Sequence, residues 1–243
     1  MNAIKCKNKS KEIKDIVILT SNVEGKFKLL MEHAMSKYDF LRIKKGNYYS
    51  DIPKDCNNVA KHNVYFKFYN LTLETEPYIY VDADAIITES LDKAVLCSKD
   101  KPFICVDHQT IKGHTDHIKI KFLNSGFMIV SDPSFLNFNS ILNTKITYNT
   151  PGTDQRLIFN YCKNIYYDYT HNEIHYGYNS CSGFIKVVNN NIISSGIPEK
   201  HDIYVVHYWY HYKPWIKCEC CVNGKNECPL YNDWLSEIDI FFA

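Results

Sequence analysis

The residues best placed to do chemistry are two carboxylates. Asp82 and Asp84 flank Ala83 directly after the apolar run YIYV at 78–81. Carboxylates one residue apart point the same way if the strand continues through them. At the carboxyl end of a strand they make a hard oxygen site for a divalent cation. Such a cation stabilises a leaving group that gains negative charge, a diphosphate for example. A solvated turn after a strand reads the same way in isolation, so position matters: this pair ends the most strand-like run in the chain. A second candidate is His207, which ends the run IYVVH at 203–207, with Lys213-Pro214-Trp215 after a short aromatic loop. A strand-end histidine can complete a metal site, and a nearby lysine can pair with phosphate.

Two polar junctions add to these. Asn124-Ser125-Gly126 precedes the run FMIV, and Asp154-Gln155 opens a helical pattern after Pro151-Gly152-Thr153. Both can hydrogen-bond ligand hydroxyls. Each also has a local reading, as a turn and as an acid at a helix N-terminus.

The elements that must carry these groups alternate. Residues 15–20 (DIVILT) read as a buried strand, and 26–38 as a helix with Phe27, Leu30, Met31 and Ala34 on one face. Residues 40–43 are a second strand and 59–73 a helix. Residues 78–81, 102–106 and 126–130 are strands rich in β-branched and aromatic residues. Residues 154–161 are helical and 203–207 a strand. This alternation predicts an α/β fold with a mainly parallel sheet flanked by helices. In such sheets ligands bind at the carboxyl ends of strands, where the polar groups above lie.

Composition bounds the rest. The chain has 243 residues, 45% hydrophobic and 23% charged, which suits one domain with a substantial core. A formal net charge of +1 gives no electrostatic footprint for nucleic acid. No apolar stretch is long enough to span a bilayer and no secretory h-region is present, so a cytoplasmic location is expected. The lysine-rich residues 1–14 read as a flexible, solvated tail. Of the 10 cysteines, six are scattered and expected to be reduced. The other four, Cys218, Cys220, Cys221 and Cys228, cluster in a spacing that fits no standard zinc pattern, leaving metal binding and disulfides both open.

Six segments taken in order resemble glycosyltransferase family 8, and its glycogenin-like branch in particular. They are ILTSN (18–22), FKFYNL (66–71), YIYVDADAIITESLD (78–92), FLNSGFMIVSDPS (122–134), GTDQ (152–155) and VVHYWYHYKPW (205–215). The resemblance implies a single GT-A domain over 15–215, Rossmann-like, with a Cys-containing extension at 216–243 packed on it. It implies a UDP-sugar donor held with Mn²⁺, Mg²⁺ being the alternative. Asp82, Asp84 and His207 match the family's metal ligands. Two carboxylates and an imidazole suit Mn²⁺ over Mg²⁺, because nitrogen favours the softer ion. Lys213 matches the lysine on the donor diphosphate, and Lys67 a donor-side lysine. Leu19, Ser21 and Asn22 match the uridine pocket, with Ala83 also on the donor side. Asn124, Asp154 and Gln155 match residues around the transferred sugar.

The chain departs from the family pattern at four places. Tyr210 and Arg156 replace glycines, Pro151 replaces an acid, and Gly25 stands where a tyrosine stacks on uridine. The implied reaction is transfer with retention, either through a covalent intermediate, for which Asp154 is the candidate nucleophile, or by same-face attack. The implied acceptor is a glycan or a protein tyrosine. Self-glycosylation is one form of it, given the tyrosines between Tyr161 and Tyr178, and the implied assembly is a homodimer. A non-catalytic UDP-sugar binder and a sugar nucleotidyltransferase are the competing classes. The His207 to Trp215 ending argues against the second.

Overall fold

The structure is a computed structural model. It describes residues 7–21, 24–49, 59–107, 123–144, 153–181, 185–188, 191–194 and 202–208. Its architecture is α/β. Strand β1 (Ile16–Thr20) pairs in parallel with β2 (Leu41–Lys45), joined by helix α1 (Gly25–Lys37). Alternation in β1 sends Ile16 and Ile18 onto Met31 and Ala34 of α1, and leaves Val17 half exposed on the other face.

The central sheet has the order β3-β6-β5: Tyr78–Val81, Leu123–Val130 and Phe103–Asp107. The strand β6 runs antiparallel to both neighbours, whereas β1 and β2 pair in parallel, as do the later strands Ser180–Cys181 and Val205–His207. Every residue of β6 is buried, as a strand covered on both faces must be.

The sheet divides two apolar layers by the period of its strands. Tyr78, Tyr80, Phe103, Cys105, Met128 and Val130 face helices α2 (Val59–Leu71), α4 (Phe138–Leu142) and α5 (Thr153–Asn164). Ile79, Val81, Ile104, Phe127 and Ile129 face the other side, against Leu91, Ala94 of α3 (Asp92–Cys97), Tyr178 and Val205. In α2 the core stripe is Tyr65, Phe68 and Leu71, which puts Lys67 and Asn70 on the adjacent, also buried, stripe.

A second small sheet has the order β4-β10-β7: Ala85–Ile87, Val205–His207 and Ser180–Cys181. Strands β8 (Ile185–Val188) and β9 (Asn191–Ser194) form a separate antiparallel pair. No helix among the described residues is long and apolar enough to cross a membrane.

Four details differ from the sequence reading, the antiparallel pairing of β6 in a sheet expected to be mainly parallel being the first. The strand β6 starts at Leu123 rather than at residue 126, and β5 steps from Met128 to Asn124 as partners of Cys105 and Val106. Ser125, Gly126 and Phe127 therefore bulge from the β5 ladder, as strands do where they re-aim side chains. Strand β3 stops at Val81, and the Ala85 N–H donates to the Asp82 carbonyl at 3.1 Å, closing a turn. The two aspartates converge through that turn, not through strand alternation. The N-terminal segment is tied down over residues 10–12. Ser10 is buried and its hydroxyl donates to Asp92, and the Lys11 and Glu12 N–H groups donate to the same carboxylate at 3.0 and 3.1 Å. Lys9, Lys11 and Lys14 stay exposed while the backbone is captured.

Candidate functional site

Three donor atoms meet where β3, β4 and β10 come together. Asp82, Asp84 and His207 each offer one ligand atom, and these lie within 4.8 Å of one another. The backbone explains the convergence. His207 sits opposite Ala85 in the antiparallel β4–β10 pair, so β10 delivers the imidazole beside the turn that carries both aspartates. The Tyr208 N–H donates to the Asp84 carbonyl at 2.9 Å, and the Asp82 N–H to the Gly126 carbonyl at 2.9 Å. The turn is thus hydrogen-bonded to both sheets.

His207 is buried, with Nδ1 2.9 Å from Asn179 Oδ1. Its Nε2 lies 3.1 Å from Asp84 Oδ1 and 3.6 Å from Asp82 Oδ2. Burial lowers the imidazole pKa to about 4, against the pull of Asp82, so the ring is neutral near pH 7. In the tautomer that donates Nδ1–H to Asn179, Nε2 turns a lone pair toward two carboxylates. Three electron-pair donors with no proton among them are what a divalent cation stabilises, and an oxygen, oxygen, nitrogen set suits Mn²⁺. The residues fit the expected metal. Gly126 leaves the room for this: a Cβ there would lie 2.3 Å from the His207 ring.

A second group lies against the first. Lys67 Nζ donates to Asp82 Oδ1 at 3.1 Å, to the Ser125 carbonyl at 2.9 Å and to Asp154 Oδ2 at 3.4 Å. It stands 4.4 Å over the Tyr80 ring. Burial opposes its charge, but Asp82, Tyr80 and Asp154 outweigh it and hold the ammonium well above its usual range. Burial would raise the Asp82 pKa, yet Lys67, His207 and Tyr80 together keep it below the usual carboxylate range. The Tyr80 hydroxyl donates to Asp82 Oδ1 at 2.6 Å, and the Ser125 hydroxyl to Asp154 Oδ2 at 2.5 Å. Asp154 lies in the first turn of α5, where the helix dipole favours an anion.

The structure therefore joins Asp82, Asp84, His207, Lys67 and Asp154 in one connected cluster. Asn124 is next to it: its Oδ1 accepts from the Gly126 N–H at 2.9 Å. Its Nδ2 is buried without a partner among the described residues. Ala83 occupies the turn between the aspartates, and Gln155 stands beside Asp154, partly exposed. Leu19 and Ser21 lie at the carboxyl end of β1, outside this cluster. Asn22, Lys213, Pro151, Tyr210 and the cysteine cluster at 218–228 lie outside the described residues. Of the scattered cysteines, Cys97 and Cys162 are free thiols, and the buried Cys105 donates its thiol to the Asn124 carbonyl at 3.0 Å.

The departure at Gly25 has a backbone correlate. Its φ is 58°, a left-handed conformation that a tyrosine adopts only at a cost of roughly 1–2 kcal/mol. Two residues of the site carried no weight in the sequence reading: Tyr80 and Asn179. Tyr80 stands on β3 two residues before Asp82, near enough in sequence to have been considered with it. Asn179 is far from His207 in sequence and carries no spacing signal.

No family model matches the sequence, and no curated protein matches it. Solved structures do. The apo form of the glycosyltransferase GlyE of Streptococcus pneumoniae TIGR4 aligns with a TM-score of 0.56 at 14% identity over 97% of this chain. The chain spans only 59% of the length of GlyE. The galactosyltransferase LgtC, solved with donor and acceptor sugar analogues, aligns with a TM-score of 0.56 at 10% identity, over 92% of this chain and 86% of LgtC. Identities this low speak for fold alone. The chain has the α/β fold of these glycosyltransferases, the GT-A fold that the resemblance implied.

Proposed function

We propose that this protein is a metal-dependent, retaining glycosyltransferase that moves a hexose, glucose first among the candidates, from a UDP-sugar to an acceptor hydroxyl. The observation that carries the reading is the convergence of Asp82, Asp84 and neutral His207 on one point of a glycosyltransferase fold. When bound there, a divalent cation supplies Lewis-acid stabilisation of the departing diphosphate.

The chain's own groups do the rest. Asp82, Asp84 and His207 hold the cation, and Lys213 is assigned to the diphosphate. Asn124 Nδ2, buried and without a partner among the described residues, is a donor suited to a sugar hydroxyl. Asp154 Oδ2 is engaged by Ser125 and Lys67. That pairing occupies one carboxylate oxygen and weakens it as a nucleophile. It favours an Asp154 that orients the sugar and stabilises positive charge on its ring, with attack from the leaving-group face.

For the acceptor, burial narrows the tyrosine-rich stretch. Tyr161, Tyr169 and Tyr178 are buried and Tyr167 packs on the core, whereas Tyr166 is 97% exposed. Among the tyrosines of this stretch whose side chains are described, Tyr166 is the exposed candidate for self-modification. Intact mass after incubation with UDP-glucose and Mn²⁺ tests this, with Tyr166→Phe as control.

The primary test is donor hydrolysis across a panel of UDP-sugars with Mn²⁺. One donor should turn over. Asp84→Ala should lower that turnover by on the order of 10²–10³, the usual loss when transition-state charge stabilisation is removed. Binding without turnover of any donor would instead make the chain a nucleotide-sugar binder.

A further inference from the structure

The cluster contains a hydroxyl that the catalytic reading does not use. The Tyr80 hydroxyl donates to Asp82 Oδ1 at 2.6 Å, and Lys67 Nζ donates to the same oxygen at 3.1 Å. A carboxylate oxygen offers about two lone-pair directions. Both on Oδ1 are therefore taken. The other oxygen, Oδ2, is the one that faces His207 Nε2, at 3.6 Å. Tyr80 has no freedom to leave: its ring lies beneath Lys67 and packs on the core against α2 and α5.

We propose that Tyr80 is a positioning residue that restricts Asp82 to coordination through Oδ2 alone, and so sets the choice of cation. This rests on the reading that Asp82, Asp84 and His207 hold a divalent ion. A small ion with an octahedral shell is satisfied by one oxygen of Asp82, and the narrow bite of a second oxygen would strain that geometry. Ca²⁺ prefers 6–8 oxygen ligands and commonly takes carboxylates through both oxygens. An Asp82 locked by Tyr80 and Lys67 cannot rotate to offer both. The site is thereby biased toward Mn²⁺ or Mg²⁺ and against Ca²⁺, independently of the bias that the imidazole nitrogen supplies.

The test is titration with metal alone. Mn²⁺ binding is read from the loss of the free-ion electron paramagnetic resonance signal, and Ca²⁺ is then added as competitor. The proteins are the wild type, Tyr80→Phe and Tyr78→Phe. Tyr78 lies on the same strand, and its hydroxyl donates at 3.0 Å to the Leu71 carbonyl, with no bond to a metal ligand. Phenylalanine keeps each ring and its packing. The thermal midpoints of the metal-free proteins report any loss from packing or from a lost hydrogen bond as such.

Tyr80→Phe should weaken Mn²⁺ by roughly 10-fold, the usual consequence of removing a partner that orients a ligand. The Mn²⁺ to Ca²⁺ affinity ratio should shrink with it, while Tyr78→Phe keeps the wild-type affinity and ratio. Wild-type Mn²⁺ affinity in Tyr80→Phe would overturn the role of Tyr80 and leave the metal centre standing. Equal weakening of both ions would overturn its control of selectivity. A wild type that binds no Mn²⁺ would overturn the metal reading itself, and this inference with it.

Discussion

The two halves of the sheet system are built to different standards. The strand β6, at the centre of β3-β6-β5, is buried at every position and packed on both faces. The strand β1 is nowhere fully buried, and its core with α1 and β2 consists of Met31, Ala34 and Leu41. The first half, with β10 beside it, carries the candidate metal ligands, and the second ends at Leu19 and Ser21, which the resemblance matches to a uridine pocket. The difference teaches where rigidity is needed. A cation and a leaving group demand ligand positions fixed to fractions of an ångström, which only a packed scaffold supplies. A base pocket can be completed by the ligand itself, and segments of low local stability are where such ordering occurs.

The strongest way to break this contrast is to empty each half in turn. Phe127 is fully buried between β6 and the small sheet. Phe127→Ala should cost about 3–5 kcal/mol, since a large cavity opens in a layer that cannot collapse. Mn²⁺ binding should fall with it, because the neighbouring Gly126 carbonyl holds the Asp82 N–H. Leu41→Ala, in the thinner layer, should cost about 2 kcal/mol, at the low end of such truncations, and leave Mn²⁺ affinity intact. Denaturant unfolding and metal titration read both. Equal costs, or loss of metal binding in Leu41→Ala, would end the distinction.

Acid offers a second probe of the fixed half. The His207 pKa falls from 6.5 to about 4 on folding, so between these values the unfolded chain binds the extra proton. Stability is therefore fully present above pH 6.5 and lost as pH falls toward 4. The total is on the order of 3 kcal/mol at about 1.4 per unit. Asp82, depressed in the folded state, adds loss in the same direction below its unfolded value of about 3.8. Unfolding free energies at pH 7 and pH 4.5 in EDTA, compared between the wild type and His207→Gln, isolate the histidine. A wild-type slope no steeper than that of the variant would show that the ring is not held neutral by burial.

Gly126 tests how tightly the ligands are set. A Cβ there would meet the His207 ring at 2.3 Å and Asn124 Oδ1 at 3.1 Å. The ring is held by Asn179 and cannot retreat without giving up that bond. Gly126→Ala should cost about 1–3 kcal/mol, the range for overpacking. It should weaken Mn²⁺ binding more than its effect on stability accounts for, by moving a ligand. An alanine variant with wild-type metal affinity would mean that the cluster adapts more readily than its hydrogen bonds suggest.

Much of this was legible in the sequence, for identifiable reasons. The helix at 26–38 announced itself through periodicity and the strands at 15–20 and 78–81 through short apolar runs, whereas aromatic residues blurred the helix at 59–73. The chemistry of Asp82, Asp84 and His207 was legible because few residue types bind a cation and all three follow apolar runs. The means of their convergence was not. A turn from Asp82 to Ala85 and a bulge at residues 125–127 are set by hydrogen bonds to other strands, which leave no local pattern. Antiparallel pairing of β6 was hidden for the same reason: strand direction depends on the route of the connections, not on the strand's composition. Nor did the lysines of the N-terminal segment reveal that Asp92, on α3, captures the backbone beside them.

The smallest expected effect bears on the outer face of the looser half. Val17 is 52% exposed, on the face of β1 turned away from α1. Truncation to alanine removes little buried area, and exposed substitutions usually change stability by no more than about 0.5 kcal/mol. Val17→Ala should fall in that range when the metal-free protein is unfolded by urea. Val17 pairs with Arg42 across the β1–β2 ladder, so its face is partly shaped by a long charged side chain. A cost well above 1 kcal/mol would show that something else covers Val17, and that β1 is as firmly packed as β6. The contrast between the halves would then be one of composition, not of rigidity. A cost near zero, together with faster amide exchange in β1 than in β6, would fix the boundary between the rigid and the adaptable half at the gap between β1 and β3.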